Sequence, residues 1–115
     1  MEMLASFIKK LESIPEGDGT MMDNTLILYT SDSAEQHHSR CYTWPVILLG
    51  DLGGRLKGGN RYLQFPDYGK KGHRTVANLY TSILHAVGDK RNRFGMPDLA
   101  LKDINQDGPL AEIMI

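Results

Sequence analysis

Two short apolar runs, "DNTLILYT" (Asp23–Thr30) and "PVILLG" (Pro45–Gly50), decide how this chain is read. Each is rich in Leu, Ile, Val or Tyr and is bounded by polar or turn-forming residues. Neither alternates apolar with polar. A strand with one wet face alternates, whereas a strand covered on both faces does not, and strands of the second kind are usually parallel. The runs therefore predict adjacent parallel strands at 25–30 and 46–49. Pro45 stands at the first position of its run, where a missing N–H removes no ladder bond.

Outward from these runs the period changes to that of a helix. Leu4, Phe7, Ile8, Leu11 and Ile14 line one stripe and predict a helix over 3–14, ended by Pro15 and the Glu-Gly-Asp-Gly that follows. Val76, Leu79, Tyr80, Ile83, Leu84 and Val87 predict a second amphipathic helix over 74–87, capped near Thr75 and stopped by Gly88. Between the second strand and that helix runs "DLGGRLKGGNRYLQFPDYGKKG" (Asp51–Gly72), where the glycines argue for turns and a small hairpin around "RYLQF". Tyr62, Phe65 and Tyr68 are expected to pack this excursion onto the body. The tail is expected to hold a short last helix at "PLAEIM" (Pro109–Met114).

Helices that alternate with fully apolar strands indicate an α/β layered fold with a short, mainly parallel sheet and two main helices. The 115 residues make one domain, 1–115. A narrow sheet needs cover on both faces, and two helices supply too little. This shortage implies a homo-oligomer or a piece of a larger fold.

Composition narrows the partners. Apolar residues make up 41% of the chain and the net charge is −1, which suits a globular domain and gives no electrostatic footprint for nucleic acid or an anionic membrane. No apolar run approaches the roughly 20 residues of a membrane span. Cys41 is the single cysteine, so no internal disulfide can form. It reads as a small buried residue rather than a nucleophile. At the N-terminus Glu2 precedes Lys9 and Lys10, the reverse of a signal peptide's order, so the chain as it stands reads as cytoplasmic.

The residues with the most chemistry follow the first run. In "TSDSAEQHH" (Thr30–His38), Asp32, Glu35, His37 and His38 offer carboxylate and imidazole ligands at a strand end, where open α/β sheets place their ligands. Two carboxylates with histidines suit a divalent metal. The alternative is a solvated polar loop. His73, at the start of the second helix, is placed to fold back to the same site, while His85 reads as a half-buried helix residue. The Asp51–Gly59 glycines lack the order of a phosphate loop and do not run into a helix. Arg55, Lys57 and Arg61 could contact an anion or form a solvated edge.

At this point a family resemblance appears. "FIKKLESIPEGDGTMMDNTLILYTSDSAE" (Phe7–Glu35), "WPVILLG" (Trp44–Gly50), "GHRTVANLYTSILHAVGD" (Gly72–Asp89) and "DGPLAEIM" (Asp107–Met114) together resemble the C-terminal portion of the alkaline-phosphatase and sulfatase superfamily, closest to a bacterial branch of unknown function. The resemblance covers almost the whole chain, but only the last quarter or so of such a protein. It implies a partial alkaline-phosphatase-like layered fold. It also implies that Asp32 matches a metal-binding Asp and that His37 or His38 matches a later metal-binding His, holding zinc, manganese or calcium. Ser33 stands where the family carries a further His ligand. The family's nucleophile has no counterpart here, since Cys41 lacks the Cys-x-Pro-x-Arg context of a sulfatase. The implied function is an alkaline-phosphatase-like domain that is not catalytically complete alone. The alternative is a metal-dependent hydrolase of small anionic phosphate or sulfate esters, completed by a partner chain or further residues, whose parent could be exported.

Overall fold

The computed structural model describes residues 1–32 and 42–115. Helix α1 spans Glu2–Glu12, strand β1 Pro15–Glu16, β2 Gly19–Thr20, β3 Ile27–Thr30, β4 Val46–Leu49, and helix α2 Val76–Ala86. Both helices fall where the apolar spacing puts them. Glu2 in the first turn of α1 and Lys9 and Lys10 in its last complement the helix dipole. Residues 61–65 form no hairpin and 109–114 no helix; Met114 instead makes an isolated antiparallel bridge with Leu56.

The expected parallel sheet is not found among the described residues. The strands form two separate two-stranded antiparallel sheets, β1 with β2 and β3 with β4. The layered, mainly parallel alkaline-phosphatase-like fold is therefore corrected to an α+β arrangement with short antiparallel pairs. Connectivity gives the reason. A parallel pair needs a crossover that carries the chain back to the opposite end of the sheet. Here the Thr30 hydroxyl donates to the Pro45 carbonyl at 2.8 Å, so the connection leaves and re-enters at one end.

Register explains why the apolar runs misled. Ile27 faces Leu49, Leu28 faces Leu48, Tyr29 faces Ile47 and Thr30 faces Val46. Leu28, Thr30, Val46 and Leu48 share one face, and Ile27, Tyr29, Ile47 and Leu49 the other. The first face packs, through Leu28, Val46 and Leu48, on a core of Leu79, Leu110 and Ile113 with Phe65 and Ile83. On the second face Tyr29 is 47% and Ile47 43% exposed. The runs lack alternation because the outer face is apolar too, although it is not covered.

Helix α2 departs from its amphipathic reading in a similar way. Its fully buried side chains are Asn78, Thr81 and Ser82, while Val87, just past its end, is 53% exposed. The polar stripe faces the C-terminal coil and holds it by side-chain to backbone bonds. The Asn78 amide group donates to the carbonyls of Gln106, Asp107 and Gly108. The Thr81 hydroxyl accepts from the Phe94 amide, and the Ser82 hydroxyl from the Leu110 amide at 2.7 Å. Thr75 and Asn78 also form a reciprocal capping box that starts the helix.

The Asp-Asn-Thr before β3 has a structural task. The Asp23 carboxylate accepts from the amide and hydroxyl of Thr20, and Asn24 donates to Glu16, tying the β1–β2 hairpin to the approach of β3. The Thr20 amide, followed by its hydroxyl, holds the Asp23 carboxyl below its ordinary range.

Candidate functional site

Asp32 lies two residues beyond the end of β3 and is exposed. Glu35, His37, His38 and Cys41 lie outside the described residues, as does Ser33. Of the sequence-derived metal set, Asp32 is thus the one member placed. Among the described residues no group of three or more His, Cys, Asp or Glu is arranged to hold a metal.

The described residues on either side of 33–41 are held in place. The Thr30 hydroxyl reaches Pro45. The Tyr42 ring stacks on Tyr68, with centroids 4.1 Å apart and planes within 11°. Tyr68 meets the His73 ring edge-on at 5.6 Å and donates its hydroxyl to the Asp98 carboxylate at 2.6 Å. A path of contacts therefore runs from Tyr42 through Tyr68 to His73.

The electrostatics of this group follow from one hydrogen bond. Asp98 accepts from the Tyr68 hydroxyl and from the Ala100 amide, and both hold its carboxyl below the usual carboxylate range. The same bond to Asp98 pushes the Tyr68 phenol up to about 12. Gln106 fixes Asp98 from behind: its side chain accepts from the Asp98 amide at 2.8 Å and donates to the Asp98 carbonyl at 2.9 Å.

Beside this group opens a cleft of about 280 Å³, walled by Lys71, His73 and Arg74 on one side and Asp103, Ile104 and Asn105 on the other. A turn closed by the bonds from Lys70 N to Asp67 O and from His73 N to Lys70 O presents the first wall. His73 is 9% exposed, and its Nδ1 lies 2.9 Å from the Pro66 carbonyl. A carbonyl only accepts, so Nδ1 carries a proton, and the tautomer with a single ring proton has its lone pair on Nε2. Arg74 spends one guanidinium donor on the Pro109 carbonyl at 2.9 Å.

The glycine-rich stretch is not a phosphate cradle. The Gly53 amide donates to the Asp23 carbonyl, the Gly54 amide to the Asp51 carboxylate, and the Arg55 and Leu56 amides to the Asp51 carbonyl. These are the donors a phosphate would need. His85 is half-buried, with Nε2 2.8 Å from the Arg91 carbonyl. Of the three aromatics in the excursion, Phe65 joins the core and Tyr68 the stack, while Tyr62 is 85% exposed.

Sequence reading missed Asp98, Asp103 and Asn105. They sit in a coil with no period, and nothing in their spacing brings them to His73. Comparison of the chain with protein-family models, with curated proteins and with solved structures gave no match.

Proposed function

We propose that this chain carries the metal loop of a phosphate- or sulfate-ester hydrolase, of the kind the alkaline-phosphatase and sulfatase resemblance implies, and that it is not catalytically complete alone. The observation that supports this reading is how the described residues on either side of 33–41 are held, with Thr30 bonded to Pro45, Tyr42 stacked on Tyr68 and Tyr68 against His73. Asp32 would supply a carboxylate oxygen, and His37 or His38 an imidazole nitrogen, to a divalent cation such as zinc, manganese or calcium. Such a cation, when bound, polarises an ester oxygen and lowers the pKa of a bound water. Ser33, in place of a further ligand, leaves the site open and its affinity low. No residue of the chain stands in a recognisable nucleophile motif, so the route that divides one hard displacement into two easier ones is missing.

The test is a calorimetric titration with zinc or manganese near neutral pH, followed by an assay of p-nitrophenyl phosphate and sulfate with the metal present. Weak binding is expected in the natural chain and none in the His37→Ala, His38→Ala double variant, with hydrolysis at background level. Equal heats in both proteins would reduce the connection to a polar cap. Turnover of about 1 per second, abolished by Asp32→Ala, would mean that these residues hold a whole active site.

A further inference from the structure

We propose that the cleft between Lys71–Arg74 and Asp103–Asn105 binds free hydrogen phosphate and selects it by its hydroxyl. The walls are chemically mixed. Lys71 and Arg74 offer cationic donors, and α2 begins two residues beyond Arg74, so the positive end of the helix dipole lies on the same side. The same cleft is lined by two groups that can accept. One is Nε2 of His73, the acceptor nitrogen in the tautomer whose Nδ1–H donates to the Pro66 carbonyl. The other is the Asp103 carboxylate, which lines the opposite wall. Asn105 can do either.

An anion made only of acceptors satisfies the cations but sets its oxygens against the Nε2 lone pair and the carboxylate. An uncharged alcohol satisfies the acceptors and ignores the cations. Hydrogen phosphate does both, because it is an anion that keeps an O–H. Asp98 lies close enough to interact with His73, but its carboxylate is already engaged by Tyr68 and Ala100, so it does not compete for the ligand. The cleft, about 280 Å³, falls just below the size range of drug-sized ligand sites, as suits a small ion.

This inference does not rest on the metal reading and is tested without metal. Phosphate, methyl phosphate and sulfate are titrated into the chain by calorimetry at about pH 8, above the ordinary imidazole range, in chelator and at constant ionic strength set with chloride. At that pH phosphate keeps a hydroxyl, whereas sulfate and the methyl ester have none. Saturable binding of phosphate is expected, about tenfold tighter than that of either hydroxyl-free ion, the factor that about 1.4 kcal/mol of hydrogen bonding gives. Lys71→Ala should weaken phosphate binding at least about fivefold, while Lys9→Ala, on α1, should leave it unchanged. Asp103→Asn should improve sulfate binding and erase most of the preference. Lys71 and Asp103 are exposed, so both variants should fold. Equal affinity for the three ions, no saturation with phosphate, or an equal effect of Lys9→Ala and Lys71→Ala would each overturn the proposal.

Discussion

Asn78 is the side chain on which α2 and the C-terminal coil depend together, and two substitutions separate its roles. Its Oδ1 accepts from the Thr75 amide at 2.9 Å and the Thr75 hydroxyl at 3.0 Å, which completes the helix cap. Its Nδ2 donates to Gly108 O at 2.9 Å and, less closely, to Gln106 O and Asp107 O at 3.2 Å. Asn78→Ala removes the cap partner, at about 1 kcal/mol. It also strands the coil carbonyls in a site where Asn78 is fully buried. Because one of the coil bonds is short and the other two share the remaining hydrogen, the stranded carbonyls add about 2 kcal/mol. The expected loss of about 3 kcal/mol lowers the melting temperature of a chain of 115 residues by roughly 12 °C, at about 4 °C per kcal/mol.

Asn78→Asp is the sharper test because the two roles give it opposite signs. As a first-turn residue near the positive helix end, an aspartate should be neutral or stabilising by about 0.5 kcal/mol. Against three carbonyls and without a donor, a buried carboxylate should cost more than the alanine does. The coil contacts are expected to win. In urea denaturation followed by far-ultraviolet circular dichroism, the aspartate variant should fall below the alanine variant, and both far below the natural chain. An aspartate variant at least as stable as the natural chain would refute the reasoning, because it would leave Asn78 as a helix cap alone.

The Tyr68–Asp98 bond should make stability pH-dependent at both ends. Asp98 is depressed in the folded state, so its contribution is present above the ordinary carboxyl value of about 3.9 and is lost as pH falls through the folded value. Tyr68 is raised to about 12, so the same bond is intact below the unfolded value of about 10 and disappears between there and its folded value. Denaturation midpoints across pH should show both losses in the natural chain; in Tyr68→Phe the alkaline loss should vanish and the acid loss should shrink to the part that the Ala100 amide supports. Gly50→Ala should destabilise by well over about 1 kcal/mol, since Gly50 has φ +93° and an added Cβ would meet the Thr25 carbonyl. Gly54→Ala, at φ +76° with open space around it, should cost only about 1 kcal/mol in the same denaturation experiment.

The helices were legible because their signal is local. Leu4, Ile8 and Leu11 on α1, and Leu79 and Ile83 on α2, repeat at a spacing that only a helix brings to one face. The strands were legible in position for the same reason. Their direction was not, because direction belongs to the connection rather than to the strand. An apolar Tyr29 or Ile47 reads alike on a covered face and on an open one, and the inference from missing alternation to a parallel sheet assumed the cover. The polar stripe of α2 reversed a second inference. Asn78, Thr81 and Ser82 have the spacing of a solvated face, yet they are the most buried side chains among the described residues. Burial of a polar side chain is tolerable where its partners are provided, and here the partners are backbone groups of a coil that sequence patterns do not register.

That coil is also why the cleft could be only half read. His73 announces one wall, since a histidine beside Lys71 and Arg74 at a helix start is visible in the string itself. The opposite wall exists because Asn78 holds the carbonyls of Gln106, Asp107 and Gly108, directly after Asn105, and because Gln106 grips Asp98 on both its amide and its carbonyl. Two buried amide side chains, one on α2 and one in the coil itself, fix residues 98–108 as a strap and bring Asp103 and Asn105 opposite Lys71. A side-chain amide can do this because it both donates and accepts, matching the mixed groups that an irregular backbone presents. An apolar side chain could bury the same area, but it could not fix the register of a coil that has no ladder of its own. The geometry of the cleft is therefore set by hydrogen bonds inside α2's contact with the coil, made by Asn78 and Gln106, which do not themselves line it.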